Sequence, residues 1–143
     1  MREALFQAKL AQEIGEVPVG AIIVKNAKII GTGFNQNISL NSVTAHAEIM
    51  AIINASDYLK NYRLVDCDIY VTLEPCHMCA KAIVDARLKN LYFSTLEPKA
   101  GSIISQDCFL QKEFLNHAVD YEYGFLQEES SALLKKFFAS KRI

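Results

Sequence analysis

Apolar residues recur along the chain with two alternating periods. Between residues 2 and 14, Leu5, Ala8 and Ala11 fall at helical spacing. The runs VGAIIVK and KIIGTGFN that follow are apolar and meet across Asn26 and Ala27, which predicts two antiparallel strands joined as a hairpin. After the polar stretch QNISLNSV, a helix is expected from a Thr44 cap through Glu48 and Met50 to about Ala55, because a threonine hydroxyl accepts from the orphan amides of a first turn. DIYVTL reads as a buried strand. Pro75 then stands at the head of CHMCAKAIVDAR, where a first turn has no use for the donor that proline lacks, so another helix is expected there. NLYFS is a fourth strand, the stretch from Thr95 to Ser105 a loop, and AVDYEY a fifth strand after a short irregular or helical piece. The last helix is expected from about Gln127 to Lys141, with Leu133, Leu134, Phe137 and Phe138 on one face.

No internal repeat, low-complexity tract or linker interrupts this alternation, and 143 residues fit one domain, so residues 1–143 are expected to form a single α/β unit. The 51% hydrophobic and 22% charged content is that of an ordinary globular core and surface. A net charge of −1 excludes a global basic field, so any nucleic-acid contact must come from a local patch. No apolar run approaches the roughly 18 residues of a membrane span, and MREALFQAKLAQEIGE interleaves charge too evenly for a secretory signal. A cytoplasmic location without membrane association is expected.

In that setting the four cysteines, Cys67, Cys76, Cys79 and Cys108, suit metal binding or free thiols better than disulfides. Cys76 and Cys79 lie one helical turn apart and share a face. Zinc takes nitrogen and sulfur ligands, and a catalytic site holds it with three side chains and keeps a fourth position open. His46, Cys76 and Cys79 supply three. Glu48, two residues from His46, is placed to move protons from water activated by such an ion. A CxxC pair alone is more often a redox centre or half of a structural zinc site, and it is the joining to His46-Ala47-Glu48 that favours catalysis. Cys67 and Cys108 are expected to be buried thiols, His77 a surface or supporting histidine, and His117 structural or RNA-contacting.

The runs His46-Ala47-Glu48 and Pro75-Cys76-His77-Met78-Cys79 match the signature of the zinc-dependent deaminases. Further along, Glu16-Val17-Pro18-Val19-Gly20, Gly33-Phe34-Asn35, Asn61-Tyr62-Arg63-Leu64, Tyr70 to Pro75, Asn116-His117 and the tail Ser131 to Phe138 complete a resemblance to the tRNA-specific adenosine deaminases, a branch of the cytidine deaminase-like superfamily, from Arg2 to Arg142. This resemblance implies a three-layer α/β/α fold with a central five-stranded mixed sheet. It also implies a homodimer that binds a tRNA anticodon stem-loop and hydrolyses its wobble adenosine to inosine, with zinc-activated water attacking C6 and Glu48 shuttling protons. By the same resemblance Asn35 would hydrogen-bond the flipped base and Val17 would line its pocket. Asn35 also suits a turn after a strand. Lys135, Lys136, Lys141 and Arg142 form a basic helix end that would meet phosphates, or a solvated face favoured by the helix dipole.

Two segments depart from the family's pattern. Ser42-Val43-Thr44 replaces an Asp-Pro-Thr run, and Thr95-Leu96-Glu97 replaces an Ala-Arg-Asp-like loop, which removes a guanidinium fork and keeps an acceptor for a ribose hydroxyl. Both bear on RNA contacts. The alternatives are a deaminase of a free base or nucleoside such as guanine or cytosine and, remotely, a noncatalytic zinc module or redox thiol protein.

Overall fold

Asn26 and Ala27 take φ of 51° and 61°, the left-handed conformation that a two-residue hairpin turn needs to match the twist of its strands. They join β1 (Gly20–Lys25) to β2 (Lys28–Phe34) as expected, with Lys25 opposite Lys28. The computed structural model describes residues 1–141, so Arg142 of the basic tail lies outside the described residues. The other elements are α1 (Arg2–Glu13), α2 (Ala47–Leu59), β3 (Asp68–Leu73), α3 (His77–Asp85), β4 (Asn90–Thr95), a short 3-10 turn (Phe109–Gln111), β5 (Asp120–Tyr123) and α4 (Gln127–Lys141). No helix among them is long and apolar enough to cross a membrane.

The five strands form one mixed sheet in the order β2-β1-β3-β4-β5. β1 runs antiparallel to both neighbours, whereas β3, β4 and β5 are parallel, with α3 returning the chain from β3 to β4. Parallel strands demand such a crossover, and covering helices bury both faces. Ile23, Ile69, Val71, Leu91 and Phe93 are completely buried in the sheet beneath Ala51, Ala55, Ile83 and Val84 of α2 and α3.

The seating of α2 follows from small residues on both partners. Its buried stripe is Ala47, Ala51 and Ala55, and β2 meets it with Gly31 and Gly33. A Cβ at Gly33 would fall on the Ala47 carbonyl oxygen and the Ala51 nitrogen, so backbone packs on backbone there. α4 is held differently. Only Ser130 and Phe137 of its residues are buried, Leu134 packs partly against the core, and Phe138, expected on the same face, is 47% exposed.

Three local expectations are corrected. Thr44 does not cap α2: it is exposed, its hydroxyl pairs with that of Ser42 at 3.0 Å, and the N-cap is His46. The first-turn amide of Ala47 is instead satisfied by Asn35 Oδ1 at 2.8 Å, reaching across from the end of β2. α2 also continues past Ala55 to Leu59, ending on Lys60 in the left-handed conformation. Cys76 is the N-cap of α3, which moves Pro75 one position outside the helix.

Adding one methyl group at the α2–β2 contact tests this packing. Gly33→Ala is expected to destabilise the protein by at least about 2 kcal/mol, an overpacking cost without a flexible side chain to absorb it. A thermal melt should show a midpoint lower by about 6 °C or more.

Candidate metal centre

His46 and Cys76 are N-caps of neighbouring helices, and Cys79 sits one turn inside α3. α2 and α3 pack side by side on one face of the sheet, which brings their N-termini together beyond the carboxyl end of β3. Open α/β sheets gather their ligands at that edge. His46 Nδ1 lies 3.6 Å from Cys76 Sγ and 3.5 Å from Cys79 Sγ, and all three ligand atoms fall within 4.8 Å of one another. A tetrahedral zinc with ordinary bond lengths sets a nitrogen and a sulfur ligand about 3.6 Å apart, so the donor set fits that ion in chemistry and spacing. Among the described residues no fourth histidine, cysteine or acidic side chain joins the cluster.

The electrostatics suit a cation. Cys76 is drawn down to about 4, by a hydrogen bond from the Cys79 thiol and, against the cost of burial, by His46 and the Cys79 amide. Cys79 is pushed up because its proton is held by Cys76 and because it is buried. The pair thus favours a thiolate at Cys76 beside the helix N-termini, whose dipoles favour negative charge, and a dication would displace the second proton. His46 is raised, chiefly by its hydrogen bond to Cys76.

Glu48 is buried in the first turn of α2, 4% exposed. Burial pushes its carboxyl up to about 7, and the nearby Cys76 charge adds to the rise. A carboxyl poised near neutrality exchanges protons in either direction.

The remaining predicted residues lie outside the metal cluster. Val17 lines a cleft of about 860 Å³, together with Leu73 and Leu96 at the strand ends and Leu134, Lys135 and Phe138 of α4. Lys99 and Lys141 line it as well, whereas Lys136 lines a smaller hollow between α1 and α4. Asn35 is buried at the foot of α2, where its oxygen serves the helix. His77 lies outside the cluster, with Nε2 2.9 Å from Asp107 and its ring edge-on to Phe109. His117 Nε2 bonds the Leu88 carbonyl at 2.7 Å, a structural link. Cys67 is buried as expected, but Cys108 is exposed, because the chain turns there in a left-handed conformation ahead of the 3-10 turn.

Sequence reasoning missed two buried carboxylates. Glu16 accepts from Ile38 N at 3.2 Å and Ser39 N at 2.7 Å, fixing the segment that leads to His46. Glu74 accepts from the amides of Glu97, Ile103, Ile104 and Ser105 at 2.8–3.0 Å and from the Ser105 hydroxyl. Burial alone would raise the Glu74 carboxyl, but these donors outweigh it and hold it below its ordinary value. Neither carboxylate forms a salt bridge among the described residues. The only local signal was an acidic residue inside an apolar run, as in Leu73-Glu74-Pro75.

Comparison with known proteins agrees with this geometry. Residues 1–95 match the family described as the cytidine and deoxycytidylate deaminase zinc-binding region. The chain is 45% identical over 143 residues to the tRNA-specific adenosine deaminase of Haemophilus influenzae, spanning 99% of this chain and 83% of that one. A solved structure from a study of A-to-I editing by tRNA:A34 deaminases superposes with a TM-score of 0.92 at 42% identity, over 94% of this chain and 97% of that one. The guanine deaminase of Bacillus subtilis is more distant, with a TM-score of 0.66 at 32% identity over 99% and 91%. From the zinc-spaced cluster and the end-to-end match together, the chain belongs to the tRNA-specific adenosine deaminase family of zinc-dependent deaminases.

Proposed function

We propose that the protein hydrolyses the wobble adenosine of a tRNA anticodon loop to inosine, releasing ammonia. The observation that carries this reading is the convergence of His46 Nδ1, Cys76 Sγ and Cys79 Sγ beside buried Glu48, in a chain related along its whole length to tRNA-specific adenosine deaminases. Zinc held by these three ligands supplies Lewis acidity that makes water a nucleophile near neutral pH. Glu48 takes the proton of the attacking water, delivers it to a ring nitrogen of adenine, and then serves the departing amine at C6. Asn35 is held in orientation by its bond from the Ala47 amide, which leaves its Nδ2 as a donor toward the base. Val17 bounds the space that the extruded base enters.

The cleft beside Val17 suits the RNA around that base. Its lining is apolar at Leu73, Leu96, Leu134 and Phe138 and carries Lys99, Lys135 and Lys141. Aromatic and aliphatic surface takes nucleobases while lysines meet phosphates. The enzyme acts as a homodimer in the cytoplasm. The family resemblance supports the dimer, and so do the exposed Ile38, Leu40 and Val43 in the segment before His46.

The reading is tested by offering an anticodon stem-loop with A at the wobble position alongside free guanine, cytosine and adenosine. Inosine is expected in the stem-loop; turnover of a free base alone would replace the reading with that of a small-molecule deaminase. Elemental analysis should find one zinc per chain, lost in Cys76→Ala. Glu48→Ala should keep the metal while its turnover falls by about 10²–10⁴-fold.

Glu48 also makes a prediction about stability. Its folded pKa, about 7, lies above its ordinary value of 4.5. The metal-free fold therefore loses stability as pH rises from about 4.5 to 7, by about 3 kcal/mol at most. Glu48→Gln should raise the melting temperature of the metal-free protein at pH 8, with the gain shrinking as pH falls toward 5. An equal gain at both pH values would show that the charge is not the cause.

A further inference from the structure

Residues 96–106 form one wall of the cleft beside Val17, through Leu96, Glu97, Pro98 and Lys99. No helix or strand holds this segment. It is instead wrapped around the Glu74 carboxylate. Oε2 accepts from the successive amides of Ile103, Ile104 and Ser105, while Oε1 accepts from the Glu97 amide at the other end of the segment and from the Ser105 hydroxyl. Gly101 sits against the same group, and a Cβ there would fall on Glu74 Cδ and Oε1. The segment is closed by its own bonds, from Gly101 N to Glu97 O at 2.8 Å and from Gln106 Nε2 to Pro98 O at 2.6 Å. Ser102 ties it to the Pro75 carbonyl through both its amide and its hydroxyl.

We propose that Glu74 is a positioning residue for substrate binding, whose buried carboxylate holds the 96–106 segment in place as the wall of the RNA-binding cleft. Four backbone amides have no other acceptor once that carboxylate is lost, and buried donors without partners are costly enough to displace a loop. The metal residues would not follow it. His46 caps α2 and Cys79 lies inside α3, whose Ala80, Ile83 and Val84 are buried in the core, and the segment meets the approach to Cys76 through the Ser102 bonds to the Pro75 carbonyl, which do not involve Glu74. Glu74 therefore acts on the affinity for RNA and leaves the metal centre and the proton transfer at Glu48 unchanged. This rests on the tRNA reading above.

Glu74→Gln removes the charge at constant size. With the wobble-A stem-loop as substrate, it should raise KM about tenfold or more, keep kcat within about threefold of the parent, and retain one zinc per chain. Hydrogen exchange should show lost protection at Ile103, Ile104 and Ser105 with α3 unchanged. Gly101→Ala perturbs the same contact from the other side with Glu74 intact, and it should shift KM in the same direction if Glu74→Gln fails to fold. A KM within twofold of the parent in the folded variants would overturn the proposal, and so would a joint loss of zinc and kcat. An unsubstituted enzyme inactive on the stem-loop would refute the tRNA reading itself, a result distinct from either.

Discussion

The structure depends on two helix N-termini meeting at one edge of the sheet. His46 ends the approach to α2 and Cys76 ends the approach to α3, and the ligand set exists only while those two caps stay within a few ångströms. That closeness is set far from the ligands. α2 can lie close on β2 because Ala47, Ala51 and Ala55 oppose Gly31 and Gly33, and α3 is placed by the crossover between parallel β3 and β4. Bringing two positive dipole ends together is unfavourable in itself, and the Cys76 thiolate between them offsets it. A cation then completes the balance between the thiolates and the buried Glu48.

Charge buried without a salt bridge recurs through the molecule, and its surroundings decide what each carboxyl does. Glu48 and Glu74 are both buried glutamates. Glu74 is surrounded by amide and hydroxyl donors, so its charged form is the stable one and it serves as an anchor. Glu48 has fewer donors, its own amide and the Cys79 thiol, so burial outweighs them and raises it toward neutrality. The same side chain is an anchor or a proton carrier according to how many N–H groups point at it.

The sequence made most of the framework legible. Apolar patterning located the five strands and the first and last helices, Thr44 and Pro75 marked the starts of the other two, and the two-residue turn at Asn26 and Ala27 was readable because β-strands on either side left no other connection. The cluster of His46, Cys76 and Cys79 was legible because a histidine with a glutamate two residues on, followed by a CxxC pair, has few other uses. What escaped was long-range. Thr44 looked like a cap because it preceded the helix, but Asn35, twelve positions before Ala47, supplies the acceptor. The donors to Glu74 lie 23 to 31 positions away in a stretch with no periodic pattern at all. Nothing in the order of residues near Glu74 says that a carboxylate there organises a loop.

The metal cluster and the cleft are consequently built from different parts of the chain. The metal residues and Glu48 ride on α2 and α3, fixed by sheet packing. The cleft is assembled from strand ends, the 96–106 segment and α4, which buries only two of its own residues. A loosely seated helix and a loop held by hydrogen bonds can change shape at little cost to the core. Leu96 and Glu97, where the chain departs from its family's pattern, line that cleft and lie outside the metal cluster. A fold divided in this way can keep one chemistry while its substrates diverge.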